Sequence, residues 1–414
     1  MNTTDKTTAT TATTAASPGT RGTLIILAIT VFLNIAGFTL ILPVTPFLVA
    51  RYVATEMVGF YVGLIVSVFA LCAFCAAPVL GSLSDHYGRR PILILSLIGS
   101  AAGYVVFGVG GALWVLFAGR IIDGLTAGNI ATLYAFVADY YPPAERGRVY
   151  GFLGAVGGLG FMLGPVAGGL LGSISPAVPL FAAAAVTLIS AAWVFFALPE
   201  SASRKAEPFV LNWRQLNPLA QLGNVLRQAA MRIPFAAAFS FFFAGTMLQS
   251  NFAVYLNQLL QFGPTGIGWT LFGVGVMDIV SQGLLSRLLL PRLGAERVTK
   301  LGLAINAAGF ALIACLLFAP TIALLGVSLF VFTLGDGLFQ PAINETIANA
   351  APADMQGAVQ GANQAQQSLA RMVGPLLAAV LSPFNLSAPY WVACAVVVAG
   401  LAVLSMSSRS AQPG

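Results

Sequence analysis

Charge is what this sequence has least of. Only 8% of its 414 residues are Asp, Glu, Lys or Arg, against roughly 25% in soluble domains. So few charges cannot coat a core of this size, and with a mean hydropathy of +0.89 the chain reads as integral to a membrane. The single histidine, His86, excludes a histidine-based metal cluster, and no metal site is expected. Cys72, Cys75, Cys315 and Cys394 all lie in apolar stretches. The C-x-x-C of the first two has no His or acid nearby, so these thiols read as small packing residues, not redox or metal ligands. No G-x-x-x-x-G-K-[ST] occurs, which argues against an ATP-driven pump. No nucleophile–base constellation supports an enzyme. The net charge of +6 arises in short loops between apolar segments and is no nucleic-acid footprint. Residues 1–22 are rich in Thr and Ala and lack a basic region followed by a cleavage site, so a disordered tail is expected.

What is abundant is apolar sequence in long runs. Twelve are long enough to cross ~30 Å of hydrocarbon: 23–49, 59–80, 92–111, 113–138, 148–172, 177–198, 232–257, 266–290, 299–318, 321–344, 356–382 and 388–407. If the N-terminus is cytoplasmic, inner loops and tails hold Lys6, Arg21, Arg89, Arg90, Arg146, Arg148, Arg204, Lys205, Arg214, Arg227, Arg232, Arg287, Arg292, Arg297, Lys300 and Arg409, which is 16 of the 19 basic residues. The outer side holds only Arg51, while Arg120 and Arg371 fall within segments. This bias puts both termini inside. Residues 199–231 divide the segments six and six. In them Trp213, Leu216, Leu219, Leu222 and Leu226 recur at near-helical spacing, as in an amphipathic helix on the inner surface. The halves also resemble each other: Asp123-Gly124-Leu125, Gly147, Gly151 and Gly164-Pro165 are matched by Asp336-Gly337-Leu338, Gly357, Gly361 and Gly374-Pro375. An all-α integral membrane protein of twelve transmembrane helices follows, in two pseudo-symmetric six-helix bundles (23–198 and 232–407) around a midplane site.

Segment 5 places Gly151, Gly160, Gly164, Pro165, Gly168 and Gly169 at the spacing G-x8-G-x3-G-P-x2-G-G. Glycine lets another helix approach closely in lipid, and proline there needs packed neighbours. The pattern resembles the antiporter motif of drug/H+ antiporters of the major facilitator superfamily. Between segments 2 and 3, GSLSDHYGRR carries Gly81, Asp85, Gly88 and Arg89 and resembles the superfamily's loop signature. Gly81 permits close helix contact, and Asp85 and Arg89, four apart, can face one another. The resemblance implies that Asp85 and Arg89 join an acid at the end of segment 4, here Asp139, in a cluster that latches the bundles in the outward-facing state. Arg120 in LFAGRIIDG and Pro43 and Pro46 in segment 1 match further superfamily motifs. Tetracycline/H+ antiporters look closest across segments 1 to 5. Where they have Asp in segment 1, His in segment 8 and Asp in segment 9, this chain has Asn34, Asp278 and Asn306. These departures count against tetracycline as the substrate.

Charges inside the segments are costly and are usually paired or functional. Arg120 and Asp123 share a helix face, so Asp123 is either a structural counter-ion or a carboxylate whose proton exchanges when the pair is disturbed. Asp278 has no basic residue within a turn and is the first choice for proton carrier. Asp336 is the repeat counterpart of Asp123, with Arg371 as its nearest formal partner. Gln360, Gln364, Gln367 and Arg371 form one face of segment 11, which is either a wall of an aqueous cavity or interhelical glue. Phe239, Phe242, Phe243, Thr246 and Gln249 of segment 7 suit an amphipathic ligand. The superfamily pattern, in which helices 1, 4, 7 and 10 line the pathway, adds Asn34, Asn129, Tyr134, Gln340 and Asn344. The expected function is proton-coupled efflux of small amphipathic compounds from the bacterial cytoplasm, without a cofactor. The expected partners are substrate, protons and lipid, and the expected state is a monomer. Export of an endogenous sugar, metabolite or lipid is the alternative, and a non-transporting membrane sensor the third reading.

Overall fold

A computed structural model of the chain describes residues 18–201, 218–351 and 355–410. Residues 1–17 of the expected tail, and Trp213 and Leu216 of the linker pattern, lie outside the described residues. Twelve long helical segments follow one another: α1 (Pro18–Leu40), α2 (Val58–Tyr87), α3 (Arg89–Val109), α4 (Leu113–Leu125 and Asn129–Tyr140), α5 (Pro143–Ile174), α6 (Val178–Ala197), α7 (Ala229–Leu260), α8 (Pro264–Leu293), α9 (Ala295–Cys315), α10 (Ile322–Ala350), α11 (Gln356–Leu381) and α12 (Ala388–Ser410). Eleven are long and apolar enough to cross a bilayer. The exception, α11, carries the glutamine stripe and Arg371, yet packs against α2 and α7 like its neighbours. The linker contributes a helix at Pro218–Leu226, whose Val225 is fully buried and whose Leu222 and Leu226 pack on the C-terminal core.

Three local features depart from uniform helices. The first apolar run splits: α1 ends at Leu40, Pro43 lies in the turn, and a short helix, Thr45–Val49, carries Pro46. Proline lacks the N–H that a continuing helix needs. Secondly, α4 breaks after Leu125, where Thr126 Oγ1 donates back to Ile122 O and Asp123 O at 2.9 and 3.2 Å. The chain turns at Gly128, against Leu80 and Ser96. Its repeat partner α10 runs unbroken through Pro341. Thirdly, α8 contains a π turn at Ser281–Leu285, the kind of bulge found mostly at functional sites. Gly88 and Gly294, at corresponding turns of the two halves, have φ of +103° and +79°, a region that only glycine enters without strain.

Within the N-terminal half α1 packs on α5 and α6, and α3 on α4 and α6; within the C-terminal half α7 packs on α11 and α12, and α9 on α10 and α12. The halves meet along two seams, α5 on α8 and α2 on α11. Both are built from missing side chains. A Cβ at Gly63 would come within 2.6 Å of the Pro375 carbonyl oxygen, and one at Gly169 within 2.5 Å of the Pro264 carbonyl oxygen. Thr265 Oγ1 donates to Gly169 O at 3.1 Å. On its other side the α5 motif lies on α1: Gly160 faces Phe32 and Ala36, Gly164 faces Thr39, and Gly168 faces Leu40. Pro165 contributes its carbonyl to the α8 seam, against Gly268.

All these inter-half contacts lie at the end away from the arginine-rich turns. At the basic face the halves are apart: an added Cβ at Gly81 or Gly151 meets nothing within 4 Å. The close contact expected of Gly81, and a place for Gly151 in the seam, are therefore absent from this conformation. Gly169→Val, which drives a side chain into the Pro264 carbonyl across the seam, should lower the unfolding temperature in detergent, at a cost of about 1–3 kcal/mol, whereas Gly151→Val should stay within about 0.5 kcal/mol of the parent. Equal losses in thermal melts of the two variants would contradict the one-ended seam.

Candidate functional site

Between the halves lies a cavity of about 330 Å³, bordered by residues of α5, α7, α8, α10 and α11 and by Leu42 after α1. Its wall is mostly apolar, with Phe161, Phe241, Phe242, Phe252 and Phe332. The polar groups that break this surface are Thr246, Gln249, Asp278, Thr333, Asp336, Gln340, Gln367 and Arg371. An aromatic shell with a few convergent polar groups is the usual form of a small-molecule site.

Asp278 and Asp336 come together there from α8 and α10. Their carboxyl groups lie within hydrogen-bonding reach of each other. Each also accepts from an amide one turn further along its own helix: Gln282 Nε2 donates to Asp278 Oδ2 at 2.9 Å, and Gln340 Nε2 to Asp336 Oδ2 at 3.2 Å. Asp278 Oδ1 is buried with no N–H or hydroxyl donor on it. Two ionised carboxylates have acceptors only, so a hydrogen bond between them needs a proton on one. The approach of the helices is fixed by Gly337, whose missing side chain admits Ser281, and by Ser286 Oγ donating to Gly337 O at 3.0 Å. The π turn thus sits where α8 meets α10.

This extends one expectation and corrects another. Asp278 has no ion-pair partner among the described residues, but Gln282 and Asp336 both reach it. Arg371 is not the partner of Asp336: among the described residues no ion pair joins them. Arg371 borders the central cavity and also a second space of about 300 Å³, formed by α2, α4 and α11 towards the basic face, with Gln364 and Ser368 on its wall. The two readings of the α11 amides divide by face. Gln364, Gln367 and Arg371 border open space, whereas Asn363 and Gln366 are buried, with Gln366 Nε2 donating to Asn363 Oδ1 at 2.8 Å.

Arg120 and Asp123 behave differently. Arg120 Nη1 lies 3.1 Å from Asp123 Oδ2, both side chains are nearly inaccessible, and Ser100 also bonds the carboxylate. The guanidinium stacks over Phe107 and Phe69, 4.8 and 5.6 Å from the ring centroids. Gly103 of α3 abuts Asp123, so the carboxylate is turned to α3 and does not border the central cavity. The geometry is that of a structural counter-ion.

At the basic face Arg89 Nε is 2.7 Å from Asp139 Oδ2, and Arg89 also pairs with Asp85. The structure brings these three together wholly within the N-terminal half while the basic face is open, so their ion pairs do not themselves join the bundles, contrary to the latch that the resemblance implies. Sequence reasoning also missed two members. Ser84 Oγ accepts from Arg89 Nη1 at 2.7 Å. The Glu200 carboxylate accepts from the backbone N–H of Arg89 at 2.8 Å, and from that of Arg90, capping the first turn of α3.

Several predicted cavity residues lie elsewhere. Phe239 and Phe243 stack on each other at 5.7 Å and face away from the central cavity, Phe239 towards a lateral pocket beside Leu222 and Leu226. The helical phase turns the expected Phe242, Thr246 and Gln249 inward, together with Phe241, Gly245 and Phe252. Asn34, Asn129, Tyr134, Asn344 and Gln360 border neither space described above. Asn129 is buried at the α4 break, and Tyr134 meets Tyr150 edge-on at 5.5 Å. Asn306 is fully buried against Gly335. Gln282 was readable in advance: Asp followed four residues later by Gln occurs in both α8 and α10.

Two helical bundles, closed at one end around a cavity that holds carboxyls, amides and a cation, define a multi-pass membrane carrier. The chain belongs to the Major Facilitator Superfamily, whose family profile matches residues 27–375. It is 31% identical over 379 residues to the class C tetracycline resistance protein of Escherichia coli, covering 91% of this chain and 93% of that one. It is 29% identical over 380 residues to Multidrug resistance protein 2 of Bacillus subtilis, covering 91% and 93%. The solved human organic anion transporter MFSD10 shares the fold, with a TM-score of 0.69 at 24% identity, over 94% of this chain and 100% of that one. The likeness to tetracycline resistance proteins thus extends past the first five helices to most of the chain.

Removing one partner of a buried ion pair costs about 3–5 kcal/mol, because the other charge is stranded. Asp123→Asn should therefore strongly reduce thermal stability in detergent, and Arg120→Gln in the same chain should restore much of it. Destabilisation by the double variant equal to the sum of the single ones would refute the counter-ion assignment.

Proposed function

We propose that the chain is a proton-coupled antiporter exporting small amphipathic compounds by alternating access. It would work as a monomer in the bacterial cytoplasmic membrane, with both termini and the basic face in the cytoplasm, driven by the proton gradient without a cofactor. The positive-inside bias supports the orientation. The resistance proteins among its relatives support export of toxic compounds. The observation that carries the reading is the Asp278–Asp336 pair on the wall of an aromatic cavity.

In this orientation the conformation described is inward-open, with the cavity facing the cytoplasm. Substrate enters past α2 and α11 and occupies the aromatic shell. The pair enters this state with both carboxyls protonated, and one of its two protons leaves as substrate binds. The halves then part along the glycine seams and close at the basic face, where Gly81 and Gly151 admit the opposing helices beside the Asp85–Arg89–Asp139 cluster. Outside, substrate leaves and the pair takes up a proton. One charge crossing 100 mV is worth about 2.3 kcal/mol, roughly 50-fold in gradient, so a single proton per cycle suffices.

Asp278→Asn and Asp336→Asn should each abolish uphill, pH-driven uptake of substrate into everted vesicles, while exchange down a gradient persists in part. Unchanged uphill uptake in both variants would remove the pair from the coupling mechanism.

A further inference from the structure

Arg371 is the charged group of the cavity to which proton coupling assigns no task. Its side chain borders both the central cavity and the space opening towards the basic face, so whatever enters from that face passes it. Among the described residues it makes no ion pair. The carboxyls sharing the cavity are engaged with Gln282, Gln340 and each other. One turn before Arg371, α11 offers Gln367 and no acid. A guanidinium presents five N–H donors in a planar fork that matches the two oxygens of a carboxylate or phosphate. The guanidinium is exposed to the space that opens at the basic face, so water solvates it while the cavity is empty. A ligand that displaces this water must put an anionic group in its place, because a charge cut off from water and left unpaired is costly.

We infer, on the antiport reading above, that the substrate is zwitterionic: an apolar or aromatic body whose amine docks on the Asp278–Asp336 pair and whose carboxylate or phosphate docks on Arg371. Each half of that description answers a separate constraint. Antiport by competition requires substrate and proton to seek the same carboxyls. A cationic amine does so, whereas a purely anionic compound beside the pair would hold its protons in place. A purely cationic compound would leave Arg371 unpaired and add a second positive charge beside it. With one proton retained by the pair, a bound zwitterion gives every charge a counter-charge, and the loaded cavity sums to zero. The phenylalanines of α5, α7 and α10 receive the body between these two anchor points, within a volume at the lower end of small-molecule sites.

Four compounds with one aromatic body test this: 2-naphthylalanine (zwitterion), its methyl ester (cation), its N-acetyl derivative (anion), and the N-acetyl methyl ester (neutral). The measurement is pH-driven uptake into everted vesicles, above that of vesicles lacking the protein. The zwitterion should exceed the methyl ester by about tenfold or more, the worth of a charge-assisted hydrogen-bonded pair. Arg371→Gln should bring that ratio close to one by lowering zwitterion uptake and raising that of the ester, and Arg371→Lys should recover part of the preference. Ester uptake by the Gln variant also reports that it is folded. A wild-type preference for the ester or the anion, or a ratio unchanged in Arg371→Gln, overturns the zwitterion and leaves antiport standing. Absence of pH-driven uptake for all four compounds overturns both.

Discussion

Two carboxyl groups within hydrogen-bonding reach, on the wall of a cavity lined with phenylalanine, are the constraint around which the C-terminal half is arranged. A like-charged pair in such surroundings survives only with a proton between its members and with donors on the remaining oxygens. Gln282 and Gln340 provide those donors, one turn along from each aspartate. The helices must also approach closely enough for the carboxyls to meet, which Gly337 allows and the Ser286 hydroxyl fixes. The π turn in α8 belongs to the same device, since it falls where that helix presses on α10. Remove the glycine, and the aspartates become two separate acids, each left with the glutamine of its own helix.

The N-terminal half contains the same Asp-Gly-Leu with another outcome. Three residues before Asp123 stands Arg120, whereas three residues before Asp336 stands Thr333. An intrahelical guanidinium draws Asp123 into an ion pair beside α3 and away from the central cavity. With no such cation on α10, Asp336 turns to α8 and finds another acid. The same motif thus gives an ion pair in one half and a pair of acids in the other, and the divergence begins with the side chain three residues before the aspartate.

Glycine governs the contacts between the halves as well. Along α5 the motif presents Gly160, Gly164 and Gly168 to α1, and Gly169 to α8, so that backbone meets backbone on two sides of one helix. Contact of this kind depends on shape, which in lipid replaces the hydrophobic drive that holds soluble helices together. The charged cluster at Arg89 remains intact within its own half, while the seam beside it is open.

Much of the architecture was legible in the sequence. Hydropathy and arginine placement separate spanning segments from loops, because the cost of moving each residue type out of water is a local property. Periodicity likewise gathered Gln360, Gln364, Gln367 and Arg371 on one side of α11, since positions four and seven apart share a side of any helix, but left undecided whether that side meets open space or another helix. The breaks in α1 and α4 and the bulge in α8 were not anticipated, because side chains and neighbouring helices compete there with the helix's own hydrogen bonds. Asp336 and Arg371 were wrongly paired, and the partners of Asp278 were missed, for a related reason. Which side chains meet depends on the rotation of each helix about its axis and on how near glycine lets its neighbour come. By itself the chain determined its twelve segments, its duplicated halves and the residues whose charges would have to be accommodated. Only the tertiary packing decided that two of those charges would face each other while a third, Arg371, stayed unpaired at the cavity wall, because electrostatic partnership is fixed by distance through space and not by spacing along a helix.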